Sequence, residues 1–398
     1  KTNFPEIPKA LSSAFFMSAV KPFKKNPNNN DVNTWKQNIE NYRYTFHISY
    51  RIISIYRLKS LKMSVSTDNS LNNTKFSILE LAPVREDKSI EFSLKHALAI
   101  AQHAEKLGYG RIWLAEHHNM DGIASSATAV LLGYLLANTK HIKLGSGGIM
   151  LPNHAPLVVA EQFGTLETLY PGRVELGLGR APGTDPLTMR ALRRGRQETE
   201  DQFPQDVTEI LQYFKAPEEH QKIVATPGQS THVPVWLLGS SLFSAQLAAR
   251  LGLPYSFASH FAPRMLGQAI QLYRDNFQPS EYLDQPYVSM GVPTVVADTD
   301  EEAQYLATSA FQRVLALMRG HSLKLKPPVE SMQNLWSPVE KMSVNNFFAL
   351  AQIGSAQTVK EGLEDLLKTY QVDEFIFTCD IYDMQKRLDN FQYLMQMK

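Results

Sequence analysis

The sequence has little sulfur chemistry, no long apolar run and no strong charge of one sign, and each shortage excludes something. A single cysteine, Cys379, rules out an internal disulfide framework and fits a reducing compartment. No apolar stretch approaches the roughly 18 residues that would mark a transmembrane helix. With 43% hydrophobic and 20% charged residues, the chain reads as a soluble globular protein with a sizeable core, and the cytoplasm is the expected location. The formal charge of +1 hides an uneven spread. Residues 1–62 hold 11 Lys/Arg against 3 Asp/Glu, leaving 29 against 36 for the rest. A neutral to acidic body offers no basic face for nucleic acid.

Familiar site signatures are also missing. There is no HExxH spacing and no cysteine cluster, so a metal at any His/carboxylate pair would need a third ligand that the local pattern does not supply. Gly177-Leu178-Gly179-Arg180-Ala181-Pro182 has proline where a dinucleotide fingerprint has its third glycine.

Residues 1–62 mix Lys, aromatics and an asparagine cluster (Asn26, Asn28, Asn29, Asn30) without a clear period. They are expected to be a basic leader, disordered or not native, with targeting as the alternative; an apolar segment followed by a small-residue cleavage site is not evident. The chain begins at Lys1, and Met63 opens a polar lead-in that reads as the natural start, giving one domain over 63–398.

From Phe76 the pattern becomes regular. Strands are expected at 76–81, 112–115, 142–150 and 174–178, about 30 residues apart, with helical spacing between them (Ile90, Leu94, Ala97, Leu98, Ala101 and Ala104, then 125–137 and 157–169). That alternation marks successive βαβ units and a parallel sheet. Less regular strands follow at 233–238, 255–258, 287–296 and 374–378, with helices at 242–251, 263–277, 358–370 and 384–397. The fold class is α/β, a closed (β/α)8 TIM barrel with insertions after strands 4 and 7, at 181–232 and 298–357. These insertions fall at the face where barrel enzymes build their sites. They are candidate lids, or they widen the shell or form an oligomer interface. Pro327-Pro328 argues for a loop section in the second.

The chemistry-bearing residues gather at strand ends. Trp113, Leu114 and Ala115 run into Glu116, His117 and His118, where a buried strand emerges into a polar setting. Consecutive strand residues point to opposite sides, so one histidine is functional and the other supporting unless the backbone turns; a polar cap over the barrel is the alternative. Glu116 has no assigned role. Gly145, Gly147 and Gly148 in the third strand imply either close approach of a flat group or a bulge in the wall. Arg180 ends the fourth strand, where it could meet a phosphate or form an ordinary ion pair. Gly239, Ser240, Ser241 and Ser244 open a helix after the fifth strand, a phosphate cradle or a plain serine N-cap.

Taken together, WLAEHH (113–118), GSGGIMLPNHAP (145–156) and PGRVELGLGRAPGTD (171–185) resemble the bacterial luciferase-like flavin monooxygenases, in particular the single-chain members related to the luciferase α-subunit. The resemblance covers about 75–398. It implies a (β/α)8 barrel that binds reduced FMN, or a reduced deazaflavin in some branches. It also implies O2 and a small organic substrate, reduced flavin from a separate flavin reductase, and a homodimer. By the same resemblance His117 matches the catalytic histidine and His118 its neighbour. Gly147-Gly148 matches a non-prolyl cis peptide beneath the flavin ring. Arg180, with Gly239, Ser240, Ser241 and Ser244, matches the phosphate-binding residues. Gly179 stands where the light-producing enzyme has a reactive cysteine, which argues against light emission. Deazaflavin-dependent hydride transfer and a noncatalytic flavin-binding subunit are the competing readings.

Overall fold

In the computed structural model, residues 70–181, 183–193 and 202–398 are described. The expected leader, Met63 and Pro182 lie outside the described residues. The chain opens with β1 (Lys75–Glu80), α1 (Ile90–Leu107), β2 (Arg111–Leu114), α2 (Thr128–Ala137), β3 (Lys143–Met150), α3 (Pro156–Leu169) and β4 (Val174–Gly179). It continues through α4 (Pro186–Arg193), α5 (Phe203–Tyr213), β5 (Val235–Gly239), α6 (Leu242–Leu251), β6 (Tyr255–Phe257), α7 (Leu266–Asn276) and β7 (Val288–Ala297). Last come α8 (Asp300–Arg319), α9 (Pro338–Phe347), β8 (Gln352–Ser355), α10 (Ala356–Tyr370), β9 (Glu374–Thr378) and α11 (Met384–Gln396).

Local chemistry marks these boundaries. Ser89 caps α1 by accepting from the Phe92 N–H, and Gly108, at φ 83°, ends it in the left-handed conformation that glycine adopts freely. Ser337 and Glu340 form a reciprocal capping box at α9.

All strand pairings in the sheet are parallel, in the order β6-β5-β4-β3-β2-β1-β9-β7, and β6 pairs with β7 to close it. The result is the expected eight-stranded barrel ringed by helices. The sequence pattern missed β8, a ninth strand inside the second insertion. It pairs only with the far end of β7, Thr294 to Ala297, and so lies outside the closed ring. Four residues with two of them polar carry too weak a period to be read locally. Helices α4 and α5 in the first insertion, and α8 and α9 in the second, were likewise not expected. Loop chemistry between α8 and α9 agrees with Pro327-Pro328.

The barrel interior is packed at its base. Arg111 lies between Glu175 (2.7 Å) and Glu374 (3.1 Å), and above it Trp113, Trp236, Leu79, Ala115 and Ile376 form an apolar plug. A second buried pair ties α11 to β1: the Arg387 Nη2 donates to Glu80 (2.8 Å) and Nε to the Cys379 carbonyl (2.9 Å). Both side chains are sealed from water. Removing one partner of such a pair leaves an uncompensated buried charge. Arg387→Met is therefore expected to cost about 3–5 kcal/mol in urea unfolding. Glu80→Leu added to it should recover much of the loss; an unchanged midpoint in the single variant would contradict this.

Candidate active site at the barrel mouth

The carboxyl ends of the strands bring the expected site residues to one end of the barrel. Strand β2 stops at Leu114, and the chain turns through Glu116, His117 and His118 to Asn119, which takes a left-handed φ of 55°. The two histidines then diverge. The His118 Nε2 lies 2.8 Å from Glu116 Oε1, and the His154 Nε2 lies 2.8 Å from the same oxygen. The second oxygen of Glu116 accepts from the Met150 N–H (3.2 Å). Burial alone would raise the Glu116 carboxyl, but the hydrogen bonds from His118 and His154 outweigh it and hold the group at about 2. Glu116 thus ties the ends of β2 and β3 to the segment before α3. This is the role that the sequence left blank.

His117 turns the other way. Burial lowers its pKa to about 4, with Arg313 on α8 adding to the effect and Glu116 opposing it. The imidazole is neutral at physiological pH. His260, just beyond β6, is pushed down to about 3 by burial, and a proton on His117 would lower it further.

Beside β2, the Gly147–Gly148 peptide is cis, and the pairing of β3 with β4 shifts register between Ser146 and Ile149. A bulge in the wall is therefore present. A Cβ at Gly147 would sit 2.7 Å from Leu79 and 2.8 Å from Trp113, and one at Gly148 2.7 Å from the Gly177 carbonyl. Neighbouring strands alone demand these two glycines.

On the next strands, Arg180 forms no ion pair among the described residues; its guanidinium lies 4.3 Å from the ring of Phe243 in the first turn of α6. Ser241 is the N-cap of α6, yet its side chain makes no capping hydrogen bond. Ser240 precedes it, and the buried Ser244 packs on Gly239, where a Cβ would be 2.3 Å from its Oγ. Arg180, which pairs with no carboxylate among the described residues, thus stands beside the N-terminal end of α6. That donor set suits a phosphate.

Both insertions reach this mouth. From the first, Thr184 donates to the His118 carbonyl (3.0 Å) and Asp185 accepts from Asn119 (3.2 Å), while α5 packs against α3 on the outer shell. From the second, the Leu323 N–H bonds to Asp121 (2.8 Å), the Leu325 N–H to the Val84 carbonyl (2.8 Å), and Arg313 to the Gly122 carbonyl (3.1 Å) and Asp380 (2.8 Å). A main-chain bond thus fastens it to the loop after β1, and side-chain bonds through Asp121 and Arg313 fasten it to the loops after β2 and β9.

The expectation that a third metal ligand would have to be invented is corrected here. Glu116, His118 and His154 bring three donor atoms within 4.8 Å of one another. At 2.8 Å each imidazole is at hydrogen-bond length from the carboxylate. Cys379 is buried and its thiol is pushed up to about 12, so it is not a nucleophile.

Several imidazoles stay neutral in the fold to about pH 3–4: His96 and His260 to about 3 and His117 to about 4, each mainly through burial. Unfolded histidine titrates near 6.5. Below that pH the unfolded chain takes up protons that the folded chain refuses, so stability falls as pH drops from about 6.5 to 4. The slope is up to about 1.4 kcal/mol per pH unit for each group. Glu116 works lower, its contribution being lost as pH falls from about 4.5 towards about 2. Thermal midpoints should be flat from pH 8 to 7 and fall steadily between 6.5 and 4.5; a flat profile there would contradict these assignments.

Residues 74–373 match the luciferase-like monooxygenase family. A luciferase-like monooxygenase of Escherichia coli (strain K12) is 51% identical over 323 residues, covering 81% of this chain and 96% of the relative. The crystal structure of apo-MsnO8 is 31% identical, with a TM-score of 0.75 over 81% of this chain and 98% of that one. The chain belongs to the luciferase-like monooxygenase family. At lower identity the same fold occurs in two further structures, each covering 81–82% of this chain and 97–99% of its own. One is the oxygenating constituent of 3,6-diketocamphane monooxygenase from Pseudomonas putida in complex with FMN (18%, TM-score 0.61). The other is an F420-dependent secondary alcohol dehydrogenase (15%, TM-score 0.56). Among the described residues no helix is long and apolar enough to cross a membrane.

Proposed function

We propose that this protein is an FMN-dependent monooxygenase acting on a small organic substrate, with reduced flavin delivered by a separate reductase. The observation that carries the reading is the placement at the carboxyl ends of the barrel strands of His117, Gly147-Gly148 and the Arg180/α6 pair. Arg180, Ser240, Ser241, Ser244 and the first N–H groups of α6 would hold the phosphate, and Gly147-Gly148 would lie against the ring. Reduced FMN, when bound, supplies the two electrons by which one atom of O2 enters the substrate and the other leaves as water. His117, neutral at working pH, is placed to hold or pass a proton as general acid/base, and His118 is held by Glu116 as its support. The second insertion, fastened over the loops, keeps water out.

Fluorescence titration with FMN and with F420 tests the cofactor, followed by O2 uptake with chemically reduced FMN. The reading expects FMN binding and enzyme-dependent O2 chemistry. Tight F420 binding in its place would favour hydride transfer, and FMN binding without O2 chemistry a noncatalytic flavoprotein.

A further inference from the structure

His260 lies just past the carboxyl end of β6 and was singled out by no sequence motif. Its Nδ1 is buried and has no hydrogen-bond partner among the described residues, although the residue as a whole is only half-buried. The ring is seated on two supports. Phe261 meets it edge to face at 4.8 Å, and on β7 the backbone of Gly291 comes so close that a Cβ there would fall 2.2 Å from Nδ1. The loop under the ring is also held, because Ser259 donates to the Gly291 carbonyl (2.7 Å). Glycine at 291 is what lets the imidazole occupy this recess.

A neutral imidazole carries one proton. If it sat on Nδ1, a buried N–H would lack an acceptor, which native structures tolerate less readily than an unused lone pair. The proton therefore sits on Nε2. With Nδ1 sealed against β7, Nε2 is the ring nitrogen left to meet a ligand. We propose that His260 is a substrate-binding residue that offers an uncharged Nε2–H donor, across the barrel mouth from His117, to a neutral hydrogen-bond acceptor on the organic substrate, such as a carbonyl oxygen. The only titratable group whose charge reaches His260 among the described residues is His117 on the β2 side; Phe261 and the Gly291 backbone are uncharged, and burial keeps His260 unprotonated down to about pH 3. An uncharged donor selects for an acceptor without requiring a counter-charge. This inference rests on reading the mouth as the substrate site, but not on which flavin is bound.

The test uses the full chain labelled with 15N-histidine, with His260 assigned by its absence in His260→Leu. The expected spectrum shows the Nε2–H tautomer, with no titration between pH 5 and 8. Cyclohexanone, a neutral acceptor, should shift the His260 signals saturably, and cyclohexene, the same ring without an acceptor, should not. His260→Leu should weaken cyclohexanone binding, followed by ligand signals, about tenfold, and His260→Gln, which restores an N–H donor, should regain part of it. Gly291→Ala keeps the imidazole but expels it from the recess, and should weaken binding similarly. Thermal midpoints show that each variant is folded, and FMN affinity should stay within about twofold in all three. A proton on Nδ1, or cyclohexanone binding unchanged in both His260→Leu and Gly291→Ala, would overturn the proposal. Failure of FMN to bind, with the cyclohexanone results intact, would overturn the cofactor reading alone.

Discussion

Replacing His117 by alanine is expected to lower the rate of substrate oxygenation by about 10²–10⁴-fold, the range of general acid/base contributions, while FMN affinity stays within about twofold. The two halves of this expectation have separate causes. Proton transfer needs a group that changes protonation at the reacting centre; His117, depressed to about 4 by burial, stands at the end of β2, whereas Glu116 engages His118 and His154. Cofactor affinity rests elsewhere, on Arg180 and the start of α6. His118→Ala should have a smaller effect, because its Nε2 is already engaged by Glu116. Steady-state O2 uptake and product formation with reduced FMN measure both variants. An unchanged rate in His117→Ala would remove it from the reaction.

Arg180→Ala should weaken FMN binding by about 10–100-fold, the loss of one charge-assisted contact of roughly 1.5–3 kcal/mol. Riboflavin, which lacks the phosphate, should bind the variant and the parent alike. The contrast between the two ligands separates loss of a phosphate contact from general damage to the site. Arg180 is well suited to this test because no carboxylate partner among the described residues is left stranded by its removal, and its guanidinium rests on Phe243. Equal weakening for both flavins would place the phosphate elsewhere.

Much of this architecture is legible in the sequence because parallel barrels repeat a local signal. The strands near 76, 112, 142 and 174, each an apolar run followed by helical spacing, appear as β1 to β4 within one or two residues. The ends of those strands are legible too, since the switch from Trp113-Leu114-Ala115 to Glu116-His117-His118 is an abrupt change of polarity. What stayed hidden depends on contacts distant in sequence. Nothing in Asn153-His154-Ala155 announces that His154 meets a carboxylate 38 residues earlier. His260 is a lone histidine after a three-residue strand, and its recess is made by a glycine 31 positions later. The roles of Glu116 and His154 as a clamp therefore required the closed barrel. The serine loop shows the opposite case: its composition alone favours a simple cap, and the missing cap bond at Ser241 is visible only in the folded loop.

The competing pictures of the mouth, a flavin site or a set of polar caps over a structural barrel, differ most in one observable. A crystal structure of the full chain with FMN bound tests it directly. The phosphate is expected between Arg180 and the first turn of α6, the ring against Gly147-Gly148, and His117 beside the ring. FMN bound away from these residues, or with its phosphate clear of Arg180, would contradict it.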